Sequence, residues 1–113
     1  MTKIVTIAEV KQAVADGTAI LVEALPQEHY DKEHLPGALN LPHDRVDELA
    51  PAVLPDKNAA VIVYCANGPC ANSGIAARRL TELGYTNVAD YALGKEEWLA
   101  AGLPFESTAE AIA

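Results

Sequence analysis

Hydrophobic positions in this chain fall into short unbroken runs that suit strands and into three- and four-residue spacings that suit helices. Thr6-Ile7-Ala8-Glu9 has the spacing at which a threonine and a glutamate each satisfy an orphan amide at a helix start. A helix is therefore predicted over residues 7–15, with Val10, Ala13 and Val14 on its apolar face and Gly17 free to take positive φ at its end. Residues 19–22, Ala-Ile-Leu-Val, read as a strand buried on both faces. Residues 26–34 are polar with a single helical turn, closed by the turn signal Leu35-Pro36-Gly37, and residues 38–41 form a brief strand. Val46, Leu49 and Val53 predict a helix within residues 44–54, stopped by Pro55-Asp56.

The most strand-like run, Ala60-Val61-Ile62-Val63-Tyr64, suits the central strand of a parallel sheet and ends on Cys65. After a loop, Ser73 is placed to cap a helix reaching Leu83, with Ile75, Ala76, Leu80 and Leu83 on its buried side and Gly84 beyond its end. Residues 88–91 give a final strand and residues 95–101 a last helix holding Trp98. Strands alternating with helices predict an α/β domain whose parallel sheet is covered on both faces. Residues 1–105 form one domain on this reading, and residues 106–113 are a tail expected to fray.

Composition narrows the possible partners. The chain has 113 residues, enough for one core, and no apolar run approaches the roughly 20 residues that cross a bilayer. Met1 to Ala8 lacks the pattern of an export signal, so a cytoplasmic location is expected. A net charge of −8 disfavours nucleic acid and anionic membranes as partners. His29, His34 and His43 have no helical metal-pair spacing, and no metal or cofactor is expected. Trp98 and Tyr91 read as packing residues, and of Arg78 and Arg79 at least one faces solvent while Arg78 is placed to brace the loop.

Chemistry concentrates at Cys65 and Cys70, two thiols in one loop, too close in sequence to staple distant segments. Ligands collect at the carboxyl ends of strands in open parallel sheets, where a loop running into a helix aims several amides at one point. Such donors favour a thiolate, which makes Cys65 the candidate nucleophile. The loop residues Ala66, Asn67, Gly68, Pro69, Ala71, Asn72 and Ser73 would line the site, with Gly68 helping the loop to curl. Cys70 reads either as a resolving thiol or as a small side chain packed under the loop.

Residues 30–42, Tyr-Asp-Lys-Glu-His-Leu-Pro-Gly-Ala-Leu-Asn-Leu-Pro, resemble a signature of the rhodanese family, an aromatic residue four positions before His-Ile-Pro-Gly-Ala-x-Asn-x-Pro. Val63-Tyr64-Cys65 resembles that family's active-site strand end, and Ser73, Ala76-Ala77-Arg78 and Leu83-Gly84-Tyr85 resemble its next helix. Gly94, Trp98 and Ala101-Gly102-Leu103-Pro104 are similar to its closing motif. The resemblance implies a single rhodanese-like domain with a mostly parallel five-stranded sheet. It also implies sulfur transfer: Cys65 takes a sulfane sulfur from a small donor such as thiosulfate, a persulfide or a polysulfide. A thiol, small or carried on a protein, then accepts it. Lys95, in the stretch the family places beside the site, would line the rim and supply a positive charge, or is simply solvated.

Departures from the family pattern shape the expectation. The stretch from Cys65 to Ser73 is two residues longer than usual and brings in Pro69 and Cys70, while it holds no Arg or Lys. The family's Asp-x-Arg after the second strand is Glu23-Ala24-Leu25 here. Ala71 stands where a Cys-x5-Arg phosphatase or arsenate-reductase loop needs its arginine, so that chemistry is set aside. The alternative to an enzyme is a non-catalytic or redox-sensing module built on a Cys65/Cys70 thiol–disulfide switch.

Overall fold

The long-range framework is a parallel sheet, because each strand is followed by a helix that carries the chain back to the same edge. A computed structural model describes residues 3–108. In chain order the elements are β1 (Lys3–Ile4), α1 (Ile7–Asp16), β2 (Ile20–Glu23), α2 (Gln27–Lys32) and β3 (Leu39–Asn40). They continue with α3 (Val46–Val53), β4 (Val61–Tyr64), α4 (Asn72–Glu82), β5 (Val88–Tyr91) and α5 (Gly94–Ala100). The five strands lie in the order β1-β5-β4-β2-β3 and every pair is parallel, so β4 is central and the sheet is more regular than the mostly parallel one expected. No helix among the described residues is long and apolar enough to cross a membrane.

The strand period of two divides the core between the faces. Val61 and Val63 of β4 face a cluster with Ala50, Leu54, Ala76, Ala77 and Leu80 from α3, α4 and the turn after α3. Ile62 and Tyr64 face the opposite cluster with Val10, Leu35, Tyr91 and Trp98. The Thr6–Glu9 capping box forms as read, and Gly17 ends α1 with φ of 64°.

Four expectations change. β1 was not anticipated: it is two exposed residues with no alternation to betray them, recruited by pairing with Ala89 and Asp90. Ser73 does not cap α4. The helix begins two residues earlier with Ala71 at the N-cap position, and Ser73 lies inside its first turn, buried. Ile75 is exposed at 48 % because the inward stripe of α4 runs through Ser73, Ala76, Ala77 and Leu80. Of the two arginines, Arg78 is exposed and has no hydrogen bond or ion pair to the loop among the described residues, while Arg79 pairs with Asp47 of α3 at 2.6 Å, joining helix to helix.

Residues 109–113 of the expected frayed tail lie outside the described residues. Glu106, however, exchanges backbone hydrogen bonds with His34, and Thr108 donates its amide to Asp31.

The fold's one buried ion pair among the described residues joins its two ends. Glu23, at the end of β2 with no solvent exposure, accepts from Lys95 of α5 at 3.1 Å on both oxygens and from the Tyr64 hydroxyl at 2.9 Å. Burial pushes the Glu23 carboxyl above its usual range, with Lys95 and Tyr64 opposing that effect. Lys95→Met leaves this carboxylate buried and unpaired and should destabilise the fold at neutral pH by about 3–5 kcal/mol in urea titrations. A raised acid pKa makes stability fall as pH rises through it, so that deficit should shrink on acidification, and Glu23→Gln added to Lys95→Met should recover most of it. An equal loss at every pH would show that Lys95 acts through packing alone.

Candidate active site

Cys65 follows the last residue of the central strand. Register fixes it there: Tyr64 pairs with Glu23 of β2 on one side and Tyr91 of β5 on the other. Its carbonyl accepts from the Lys95 amide at 2.9 Å, and the next carbonyl, Ala66, accepts from the Glu96 amide at 2.7 Å. The first turn of α5 therefore clamps the start of the loop. Gly94 permits this approach, since its φ of 65° suits glycine and a Cβ there would collide with the Cys65 carbonyl oxygen. Gly68, by contrast, does not take positive φ, so the curl expected of it comes from the turn closed by Cys70 N–H donating to Asn67 O at 3.1 Å.

The Cys65 side chain is buried, with its sulfur 3.5 Å from the Ser73 hydroxyl and 3.4 Å from the Cys70 carbonyl oxygen. The Ser73 amide and hydroxyl both act on it as donors that lower its pKa. Burial and the neighbouring Cys70 side chain outweigh them, so the thiol is pushed above its ordinary value. This qualifies the expectation of a thiol made acidic by loop donors: the donors are present, and desolvation wins. Both cysteines are free.

Behind Ser73 lies Asp90, 7 % exposed, with Oδ1 buried and unpartnered. Burial raises its pKa and Ser73 lowers it. Sequence reading passed over Asp90 because a polar residue inside a predicted strand usually marks its solvated face.

Lys95 is not a solvated, free charge. It borders the depression beside Ala66, yet its ammonium is committed inward: besides Glu23 it donates to the backbone oxygens of His29 at 3.1 Å and Glu33 at 2.7 Å. A cation so committed is neutralised by its own partner. A shallow depression of about 280 Å³ flanks the loop at Ala66, and its charges are mixed, Lys32 and Lys95 standing against Glu33 and Glu96. Asn67, Gly68 and Pro69 border a second depression with Leu93, and Ala71 is exposed beside half-buried Asn72. His34 is held in the interior, its ring stacked on Tyr30 at 3.9 Å with Nδ1 2.7 Å from the Tyr30 carbonyl oxygen. No three potential metal-ligating side chains converge among the described residues.

A family model described as the rhodanese-like domain matches residues 6–101. Thiosulfate sulfurtransferase PspE of Escherichia coli is 46 % identical over 61 residues, which cover 54 % of this chain and 57 % of PspE. The matches to the next curated relatives span still smaller shares of their lengths. A solved rhodanese with anions from E. coli is 35 % identical with a TM-score of 0.65, covering 79 % of this chain and 98 % of that one. The human single-domain sulfurtransferase TSTD1 is 26 % identical with a TM-score of 0.75, covering 88 % and 97 %. With the strand order, the Cys65 loop and a match across residues 6–101 in agreement, this chain belongs to the rhodanese-like domain family.

Proposed function

We propose that the chain is a sulfurtransferase in which Cys65 carries the sulfur. The observation that supports this most is the placement of the Cys65 sulfur at the end of the central strand and the start of α4, beside the Ser73 hydroxyl at 3.5 Å. In the proposed cycle the Cys65 thiolate attacks the sulfane sulfur of a donor, the donor's S–S bond breaks, and the remainder leaves with the electron pair. From thiosulfate the leaving group is sulfite. An acceptor thiolate then attacks the outer sulfur of the resulting persulfide and regenerates Cys65. Residues Ala66, Asn67, Gly68, Pro69, Ala71, Asn72 and Ser73 would bound the persulfide, and unpaired amides at a helix start can hold its negative charge.

The donor is the point at which this chain parts from PspE in our reading. Residues 66–71 hold no basic side chain and Lys95 is paired with Glu23. A dianion such as thiosulfate would forgo a charge-assisted hydrogen bond, worth on the order of 1.5–3 kcal/mol, and would meet a protein of net charge −8. A singly charged donor, an organic persulfide, an organic or protonated polysulfide, or a thiosulfonate, is the better-matched class. Two free thiols suit a reducing compartment such as the cytoplasm.

The Cys70→Ala protein given polysulfide should gain one sulfur atom, mapped by peptide mass spectrometry to Cys65, and Cys65→Ser should gain none there. An adduct on Cys70 that persists in Cys65→Ser would overturn the assignment. Because the Cys65 pKa is raised, the thiolate fraction, and with it the rate of alkylation at Cys65, should climb through an inflection above that of free cysteine. Ser73→Ala removes a donor that lowers this pKa, so it should move the inflection further up and slow the neutral-pH rate about tenfold. Site-resolved alkylation across the alkaline range tests the sign, and an inflection below free cysteine would contradict it.

A further inference from the structure

Cys65 has no solvent exposure, whereas Cys70 is half-buried on the same loop. The inner sulfur of a Cys65 persulfide would therefore be shielded from thiols in solution while remaining next to Cys70. Three observations bring the two residues together. The Cys65 sulfur lies 3.4 Å from the Cys70 carbonyl oxygen. The Cys70 side chain is near enough to that sulfur to push its pKa up. The turn closed by Cys70 N–H and Asn67 O folds residues 67–70 back toward Cys65.

The charge balance supplies a reason for the two to react. A persulfide anion at Cys65 would sit in a buried place with the Ser73 donors and no cation in the loop. Its neighbour Asp90 is a carboxyl rather than a counter-ion. Desolvation disfavours the anion there as it disfavours the thiolate, and conversion to a neutral disulfide with release of the charge to solvent removes that cost.

We propose that Cys70 resolves the Cys65 persulfide, which makes this protein a persulfide reductase that releases hydrosulfide. The step rests on the sulfur uptake proposed above. The Cys70 thiol loses its proton to solvent, and the thiolate attacks the Cys65 Sγ. The bond between Sγ and the outer sulfur breaks, the outer sulfur leaves as hydrosulfide with the electron pair and a proton from solvent, and a Cys65–Cys70 disulfide closes. The sulfane sulfur is reduced and the two thiols are oxidised, so the electrons balance within the chain. Turnover then requires a dithiol reductant to reopen the disulfide by exchange, first at Cys70, the more exposed sulfur. The co-substrate class is accordingly a dithiol, small or protein-borne, in place of a sulfur acceptor.

Benzenethiosulfonate is a clean probe because it delivers its sulfane sulfur and leaves as sulfinate, so any sulfide must come from the second step. The full chain, reduced, freed of external thiol and kept anaerobic, is given one equivalent. Wild type should release close to one hydrosulfide per chain and end two mass units lighter, with peptide mapping showing Cys65 joined to Cys70. Cys70→Ala should instead hold a sulfur on Cys65, 32 mass units heavier, and release sulfide only when dithiothreitol is added. A persulfide of equal lifetime in wild type and Cys70→Ala, with no sulfide from either, would overturn the resolving role and leave sulfur uptake standing. No adduct on Cys70→Ala and no sulfide from wild type would overturn both.

Discussion

A carboxylate withdrawn from water needs a cation at hand, and Glu23 finds one 72 residues further along the chain in Lys95. That pair binds the end of β2 to the first turn of α5, while the Tyr64 hydroxyl joins it from β4 and accepts from the Leu35 amide at 3.1 Å. Lys95 also draws in the backbone at His29 and Glu33, on either side of the end of α2. Four segments distant in sequence are thus fixed around one charge pair. Buried ion pairs add little net stability compared with apolar packing, and their use here is positional. With the Lys95 side chain anchored below, its amide is held against the Cys65 carbonyl.

The consequence at the site is a thiol governed by two opposed effects. The amide and hydroxyl of Ser73 favour a negative sulfur, while burial and Cys70 oppose it, and the opposition wins. A loop with a basic side chain would tip the balance toward a standing thiolate and toward anionic donors. Here the nearby cation is spent on Glu23, so nothing offsets the burial that pushes the Cys65 thiol up, and a charge placed on its sulfur is disfavoured. In the proposed resolving step, Cys70 on the same loop gives that charge a local exit.

Much of this was legible before the structure. The apolar run ending in Tyr64 read as the most strand-like stretch and as the central strand of a parallel sheet, and Thr6 and Glu9 announced α1 through a local pattern that tertiary context leaves alone. The site's position followed from topology. Its electrostatics did not, because the fate of Lys95 depends on which carboxylate the fold buries opposite it. The hint available was Glu23, a charged residue directly continuing an apolar strand run. Ser73 misled for a similar reason: a serine near a helix start reads as a cap, yet an exposed Ala71 begins the turn and the hydroxyl goes inward to the sulfur. Gly94 was read as a family motif position, and only the contact with the Cys65 carbonyl explains why a side chain is excluded there.

The claim on which everything else rests is that Cys65 holds sulfur by loop donors alone, with Lys95 remaining on Glu23. A crystal structure of the Cys70→Ala protein after treatment with benzenethiosulfonate tests it directly. The expected result is one additional sulfur bonded to Cys65 Sγ, within about 3.5 Å of amide nitrogens in residues 67–73. Lys95 should still bridge to Glu23. A Lys95 ammonium swung away from Glu23 onto the added sulfur would contradict the account.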